Sequence, residues 1–216
     1  MPSAEPRPVS VPGAEHIFSV DVEDYFQVES FADVIDRSRW PSFACRVEDN
    51  TRRLLDLLDA YRTRATFFVL GWVAERYPEL VREIVARGHE PACHSYWHRR
   101  IDQLGPAEFR EDTLHAKQVI EQAAGRQITG YRAPSFSIVR QSLWALEVLA
   151  ELGFAYDSSI FPIRHDVYGI PDGPRTPVRI QTRSGPILEY PMTTFRMGGS
   201  RNFPVGGGGY LRLLPF

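Results

Sequence analysis

The sequence predicts an α/β fold of parallel strands with helices packed outside them, closed into a distorted (β/α) barrel. Three observations carry that expectation. Short apolar runs alternate with amphipathic helical stretches through about 160 residues, the pattern of parallel strands joined by crossover helices. Polar residues collect at the ends of successive apolar runs, as they do on the working face of a barrel. No GxGxxG or GxxxxGK[ST] marks a nucleotide site, so a barrel is more natural than an open sheet. At 216 residues and 43% hydrophobic composition, the chain can bury one substantial core, which favours a single large domain over two small ones.

Taken in order, HIFSVDVEDYF from His16 is an apolar run ending in acids, a buried strand that opens into a loop. VEDNTRRLLDLLDAY is a helix with Asp49 or Asn50 as its N-cap and Leu54, Leu55 and Leu58 as its apolar stripe. ATFFVLG, Ala65 to Gly71, is a second buried strand. PELVREIVARG opens with Pro78 at a helix start, puts Leu80, Val81, Ile84 and Val85 on one face, and closes on Gly88. HEPACH is the third strand and delivers His94, and GPAEFREDTLHAKQVIEQAAG is a third helix stopped by Gly125. ITGYRAPS is a fourth strand whose end carries Arg132 before Pro134. LWALEVLAELG and FAYDSS follow as a helix and a fifth strand ending at Asp157, and GPRTPVRIQTRSGPILEYPM reads as a hairpin turning at Ser184-Gly185.

Charge and cysteine content exclude several classes. Lysine and arginine total 25 against 27 acids, for a net charge of −2, and without a basic stripe nucleic acid is not an expected partner. Cys45 and Cys93, the 2 cysteines, stand far apart and form neither a disulfide framework nor a zinc knuckle; Cys93 is expected to pack inside its strand. Residues 1–15 are proline-rich and lack a secretory apolar segment, so they read as a flexible leader. No stretch approaches the ~20 apolar residues of a membrane span, which makes a cytoplasmic location the default expectation.

The strand ends hold the chemistry. In a parallel barrel they share one face, which gathers Asp21, Glu23 and Asp24, then His94 and His98, then Arg132, then Asp157 with Ser158 and Ser159. Histidines four apart lie above one another in a helical turn and can converge on one ion. Two imidazoles and a carboxylate make an open site for a divalent metal, with room for water and a substrate oxygen. Asp21 is the candidate base, Glu23 or Asp24 the metal carboxylate, and Arg132 the charge that would keep the base ionised. Singly, these groups have plainer uses, as loop caps, surface ion pairs or turn residues. Their succession at separate strand ends argues for a common site.

These residues resemble the polysaccharide deacetylases of the NodB-homology type, carbohydrate esterase family 4. SVDVED is similar to that family's first motif, HSYWH to its metal-binding H-[ST]-x-x-H motif, YRAPS to its arginine-proline motif and AYDSS to its fourth motif, over about residues 16 to 195. Stretches such as IFPIRHDVYGIPDGPRTP and GGGGYLRLLP look like a bacterial branch associated with exopolysaccharide and exosortase systems. The resemblance implies a barrel of about seven parallel strands, and hydrolysis of N-acetyl groups on N-acetylhexosamine units of a polysaccharide, oligosaccharide or precursor. It also implies one divalent cation, zinc first, with cobalt, nickel or manganese as alternatives. Asp21 would take a proton from the metal's water, and Arg132 and Asp157 would join the catalytic set.

Two departures stand out. The family's first motif has adjacent aspartates, whereas Asp-Val-Glu-Asp leaves Glu23 and Asp24 both open; a strand continuing to Glu23 would turn it to the face of Asp21, and a turn after Val22 would favour Asp24. The family's late Leu-x-His motif, whose histidine protonates the leaving amine, has no counterpart, so the barrel is expected to be incomplete, with 16–195 as its deacetylase unit and Gly-rich 196–216 the start of a truncated segment. His165 is the downstream histidine that could serve as acid instead. Rival readings are a metal-independent, allantoinase-like cyclic-amide hydrolase and a non-catalytic carbohydrate-binding protein.

Overall fold

The computed structural model describes residues 7–8, 17–196 and 201–207. The remainder of the expected leader and most of the Gly-rich segment lie outside the described residues. The chain runs β1 (Arg7–Pro8), β2 (Ser19–Val22), α1 (Val47–Ala60), β3 (Thr66–Val69), α2 (Gly71–Arg76), α3 (Pro78–Ala86), β4 (Glu90–Cys93), α4 (Pro106–Ala124), β5 (Gly130–Tyr131), α5 (Ala145–Glu151), β6 (Tyr156–Asp157), β7 (Val178–Thr182) and β8 (Gly185–Glu189). A separate antiparallel pair follows, β9 (Thr194–Arg196) with β10 (Asn202–Pro204).

The main sheet has the order β1-β7-β8-β6-β5-β4-β3-β2. From β2 through β6 every neighbouring pair is parallel, as helix-linked strands require, and β8 adds to β6 in the same direction. The sheet is mostly parallel, as expected, with the expected hairpin as an antiparallel exception. β7 runs antiparallel to β8 because only Arg183 and Ser184 separate them, and a two-residue turn cannot return a strand in the same direction. The turn thus lies one residue earlier than Ser184-Gly185. β1 pairs antiparallel with β7, so Arg7 and Pro8 are part of the sheet rather than of a loose leader.

Among the described residues no ladder joins β2 to the opposite edge, yet the sheet is strongly curled. Strands spaced ~4.8 Å apart would put β2 some ~14 Å from β5 on a flat sheet, beyond one arginine's reach. The side chain of Arg132, directly after β5, nonetheless bonds Ser19 Oγ on β2 at 2.9 Å. Period-two geometry sorts β3 accordingly. Phe67 and Val69 join the core cluster with Leu55 and Leu58 of α1, Leu80, Val81 and Ile84 of α3, and Phe109 and Ile120 of α4. Phe68, pointing the other way, lies beneath the Arg132 guanidinium at 4.0 Å.

Helix ends follow local chemistry where it suffices. Pro78 takes the first turn of α3, and α4 is entered at Gly105, whose amide donates to Glu108, and leaves through left-handed Gly125. α1 starts at Val47, earlier than an Asp49 or Asn50 cap allows. Its cap comes from a distant residue: Asp24 Oδ2 accepts from the amides of Arg46 at 2.6 Å and Val47 at 3.0 Å.

Candidate functional site

β2 ends one residue before Glu23, and the alternation of the strand persists just long enough to matter. Asp21 and Glu23 face the concave side of the sheet, while Val22 and Asp24 are buried away from it. Glu23, His94 and His98 offer ligand atoms within 4.8 Å of one another. Glu23 Oε2 comes to 2.7 Å from His98 Nε2 but lacks the alignment of a hydrogen bond, so this buried oxygen has no hydrogen-bonding partner. Asp24 is not brought to the cluster; both its oxygens are used by backbone amides, of Tyr25 and at the start of α1.

His94 follows β4 directly, and its Nδ1 lies 2.8 Å from the carbonyl oxygen of Arg132. A carbonyl can only accept, so Nδ1 carries the proton and Nε2 keeps its lone pair for the cluster. Burial pushes the His94 pKa down, which holds the ring neutral as a metal ligand must be. His98 is pushed down by burial too, but the adjacent Glu23 carboxylate outweighs that and raises it. The two imidazoles do not meet through a helical turn. Residues 94–98 form a loop in which Ser95 (φ 62°) and His98 (φ 52°) are left-handed, a conformation that costs a non-glycine residue about 1–3 kcal/mol.

Arg132 anchors the other half of the site. Only 4% exposed, it places Nη1 2.8 Å from Asp21 Oδ1, Nη2 2.9 Å from Ser19 Oγ and 3.0 Å from Ser158 Oγ, and Nε 3.2 Å from the Ser158 carbonyl. This set of acceptors compensates the burial of the guanidinium. Burial alone would raise the Asp21 pKa, but the charge and hydrogen bond of Arg132, with the nearby histidines, bring it below the usual carboxylate range.

Asp157 lies behind this arrangement, not in it. Its Oδ1 accepts from Ser159 Oγ at 2.6 Å, and Ser159 Oγ accepts from the Ala133 amide at 2.8 Å, which fixes the backbone just after Arg132. Directly across the β6–β8 ladder stands Glu189, also fully buried. Ionised, Glu189 would leave Oε2 buried with no donor; as the neutral acid it hydrogen-bonds Asp157, and burial followed by the Asp157 charge raises its pKa far above normal. Sequence reasoning missed Glu189, because only the strand register puts it there. His165 is exposed, accepts the Val167 amide at 3.1 Å and stacks on Tyr168 at 3.9 Å, so it is engaged within its own loop. Cys93 is buried and its thiol pKa is raised by that burial, in line with a packing role.

Comparison with known proteins bears on this geometry. A family model described as polysaccharide deacetylase matches residues 36–156, and one described as a domain of unknown function matches 158–216. The first match begins after Asp21 and Glu23, and the second supplies β7, β8 and Glu189 to the same sheet. A chitooligosaccharide deacetylase of Bradyrhizobium sp. (strain ANU 289) is 37% identical over 101 residues, 46% of this chain and 43% of that protein. A Mycobacterium smegmatis crystal structure assigned to the polysaccharide deacetylases superposes with a TM-score of 0.67 at 28% identity, covering 87% of this chain and 62% of that one. The Puue allantoinase structure gives 0.53 at 25% identity over 66% of this chain and 43% of its own. The chain therefore spans less than two thirds of the length of each of these relatives. With more than half of its residues under the first model, on a curled parallel sheet whose strand ends carry the His pair, the carboxylates and the arginine, the chain belongs to the polysaccharide deacetylase family.

Proposed function

We propose that this chain is a cation-dependent N-deacetylase acting on N-acetylhexosamine units of a bacterial polysaccharide, oligosaccharide or precursor, with residues 16–195 as the catalytic unit. One observation carries the reading: the buried, hydrogen-bond-free Glu23 Oε2 converges with the two imidazoles beside an Asp21–Arg132 pair. Two imidazoles and one carboxylate suit zinc, with cobalt, nickel and manganese as competitors. Glu23, His94 and His98 would hold the ion. When bound there, it would polarise the acetamide carbonyl and acidify a water.

The chain's own residues do the rest. Arg132 keeps Asp21 ionised and occupies Oδ1, which leaves Oδ2 to take the proton of the attacking water. The water oxygen bonds to the acetamide carbon, the C–N bond breaks as nitrogen takes the proton that Asp21 received from the water, and acetate and a free amine depart. His94 is locked in the ligating tautomer by the Arg132 carbonyl, so the same residue orients a metal ligand and the base. An allantoinase-like reading shares the fold, but it gives the facing histidine pair nothing to do.

The test is elemental analysis beside acetate release from a chitooligosaccharide. We expect about one zinc per chain, lost in both His94→Ala and His98→Ala together with activity. Acetate release from metal-free protein at the unsubstituted rate would overturn the reading.

A further inference from the structure

The loop between the two histidines is strained, and the way it is held assigns a role to residues outside the site. Its carbonyls are taken one by one. Gly71 N donates to Ser95 O at 2.8 Å, Trp72 N to Tyr96 O at 3.4 Å, and Arg37 Nε to Trp97 O at 2.8 Å. Its amides turn the opposite way, where Asp112 Oδ2 accepts from Tyr96 N at 2.8 Å with the Trp97 amide within reach of the same carboxylate. Asp112 stands in the middle of α4, its side chain 2% exposed, with Arg99 Nη2 3.5 Å from its other oxygen. The approach is close enough to exclude a side chain at Gly71, where a Cβ would stand 2.6 Å from Tyr96 Cδ2 and 3.0 Å from Ala116.

We propose that Asp112 and Arg37 are positioning residues that clamp residues 95–97 from both sides and thereby hold His98 in its left-handed conformation, aimed at Glu23. The proposal rests on the cation reading for its functional consequence, though not for the clamp itself. Left-handed non-glycine residues persist only where their surroundings over-determine the backbone. Here three separate elements do so: α2 and the Arg37 segment through the carbonyls, α4 through the amides. Asp112 is the side chain that acts on the amide side. Without it the inward-facing Tyr96 N–H loses its acceptor, and residues 95–97 are free to relax toward ordinary dihedrals that swing the His98 ring away from Glu23 and His94. Arg37 acts on the last carbonyl before His98, so its loss should loosen the ring directly while sparing the core.

Two readouts test this. In zinc-free protein, hydrogen exchange at the Tyr96 amide should accelerate in Asp112→Ala and stay slow in Asp112→Asn, which keeps an acceptor oxygen. Zinc affinity, measured by chelator competition, should fall about 10- to 100-fold in Asp112→Ala, the range for removing supports behind a ligand shell, fall in Arg37→Ala, and recover in Asp112→Asn. Thr113→Val, on the same buried helix next to Asp112, should leave both readouts unchanged. If Asp112→Ala does not fold, Arg37→Ala at its half-buried position decides the matter. Unaltered exchange in Asp112→Ala, or unaltered zinc affinity in Arg37→Ala, overturns the clamp. A zinc-free unsubstituted protein sinks the cation reading instead, and the exchange comparison still judges the clamp.

Discussion

Asp21 and Glu189 show how the same carboxyl group acquires opposite charge states from its surroundings. Asp21 is half-buried against a guanidinium and is held ionised, whereas Glu189 is fully buried against another carboxyl and is held neutral. Asp21→Asn should therefore lower kcat by about 10²- to 10⁴-fold with zinc content unchanged, read by acetate release beside elemental analysis. For Glu189 the sign follows from a folded pKa raised above the unfolded 4.5. Its contribution to stability is complete below the unfolded value and is lost as pH rises through the folded one. Urea unfolding at about pH 5 and about pH 8 should show the unsubstituted protein losing more stability between them than Glu189→Gln, and parallel losses would refute the shared proton. Asp21 could be read from sequence because it ends a strand near other chemistry-bearing ends. Glu189 could not, since its partner is fixed by pairing across 32 residues of chain.

At the scale of elements, adjacent acids have separate employments. Glu23 faces the histidines and Asp24 caps α1. Asp24→Ala should cost about 0.5–2 kcal/mol in thermal or urea unfolding and leave zinc content intact, whereas Glu23→Ala should lose zinc with little change in metal-free stability. Zinc loss in Asp24→Ala and retention in Glu23→Ala would reverse the assignment. The boundaries of α3 and α4 were legible because Pro78 and Gly125 are local signals. α2 was not, because Gly71 reads as the end of a strand and its real constraint is the approach of Tyr96. The His94–His98 spacing suggested a helix for a similar reason: spacing in sequence reports how far apart residues are along the chain, and only the three clamping elements reveal the left-handed path between them.

For the whole molecule, the two family segments build one sheet. No helix among the described residues is long and apolar enough to cross a membrane, and the core is a single cluster spanning β2 to β8. A chain ending at Asp157 would expose β6 as an edge, strip Ser158 from Arg132 and remove Glu189. We expect it to aggregate or to lack a cooperative unfolding transition; a soluble, two-state product would show that the first segment stands alone. The alternation of strands and helices was visible in the sequence, as was the shared face of the strand ends. The β7–β8 hairpin was visible too, through its turn, but the strand role of Arg7–Pro8 was not, since it depends on which edge remains free once the other strands have been laid down.

The reach of Arg132 sets the order in which the protein can come to life. Its guanidinium binds Asp21 and Ser19 across 111 and 113 positions and Ser158 across 26, contacts that close late because the loops they seal are long. During synthesis, the first acids must wait beside an unfinished sheet until Arg132 and then Ser158 have left the ribosome. The Asp21–Arg132 pair is therefore expected to form in one step, only after the strands between its partners have been laid down.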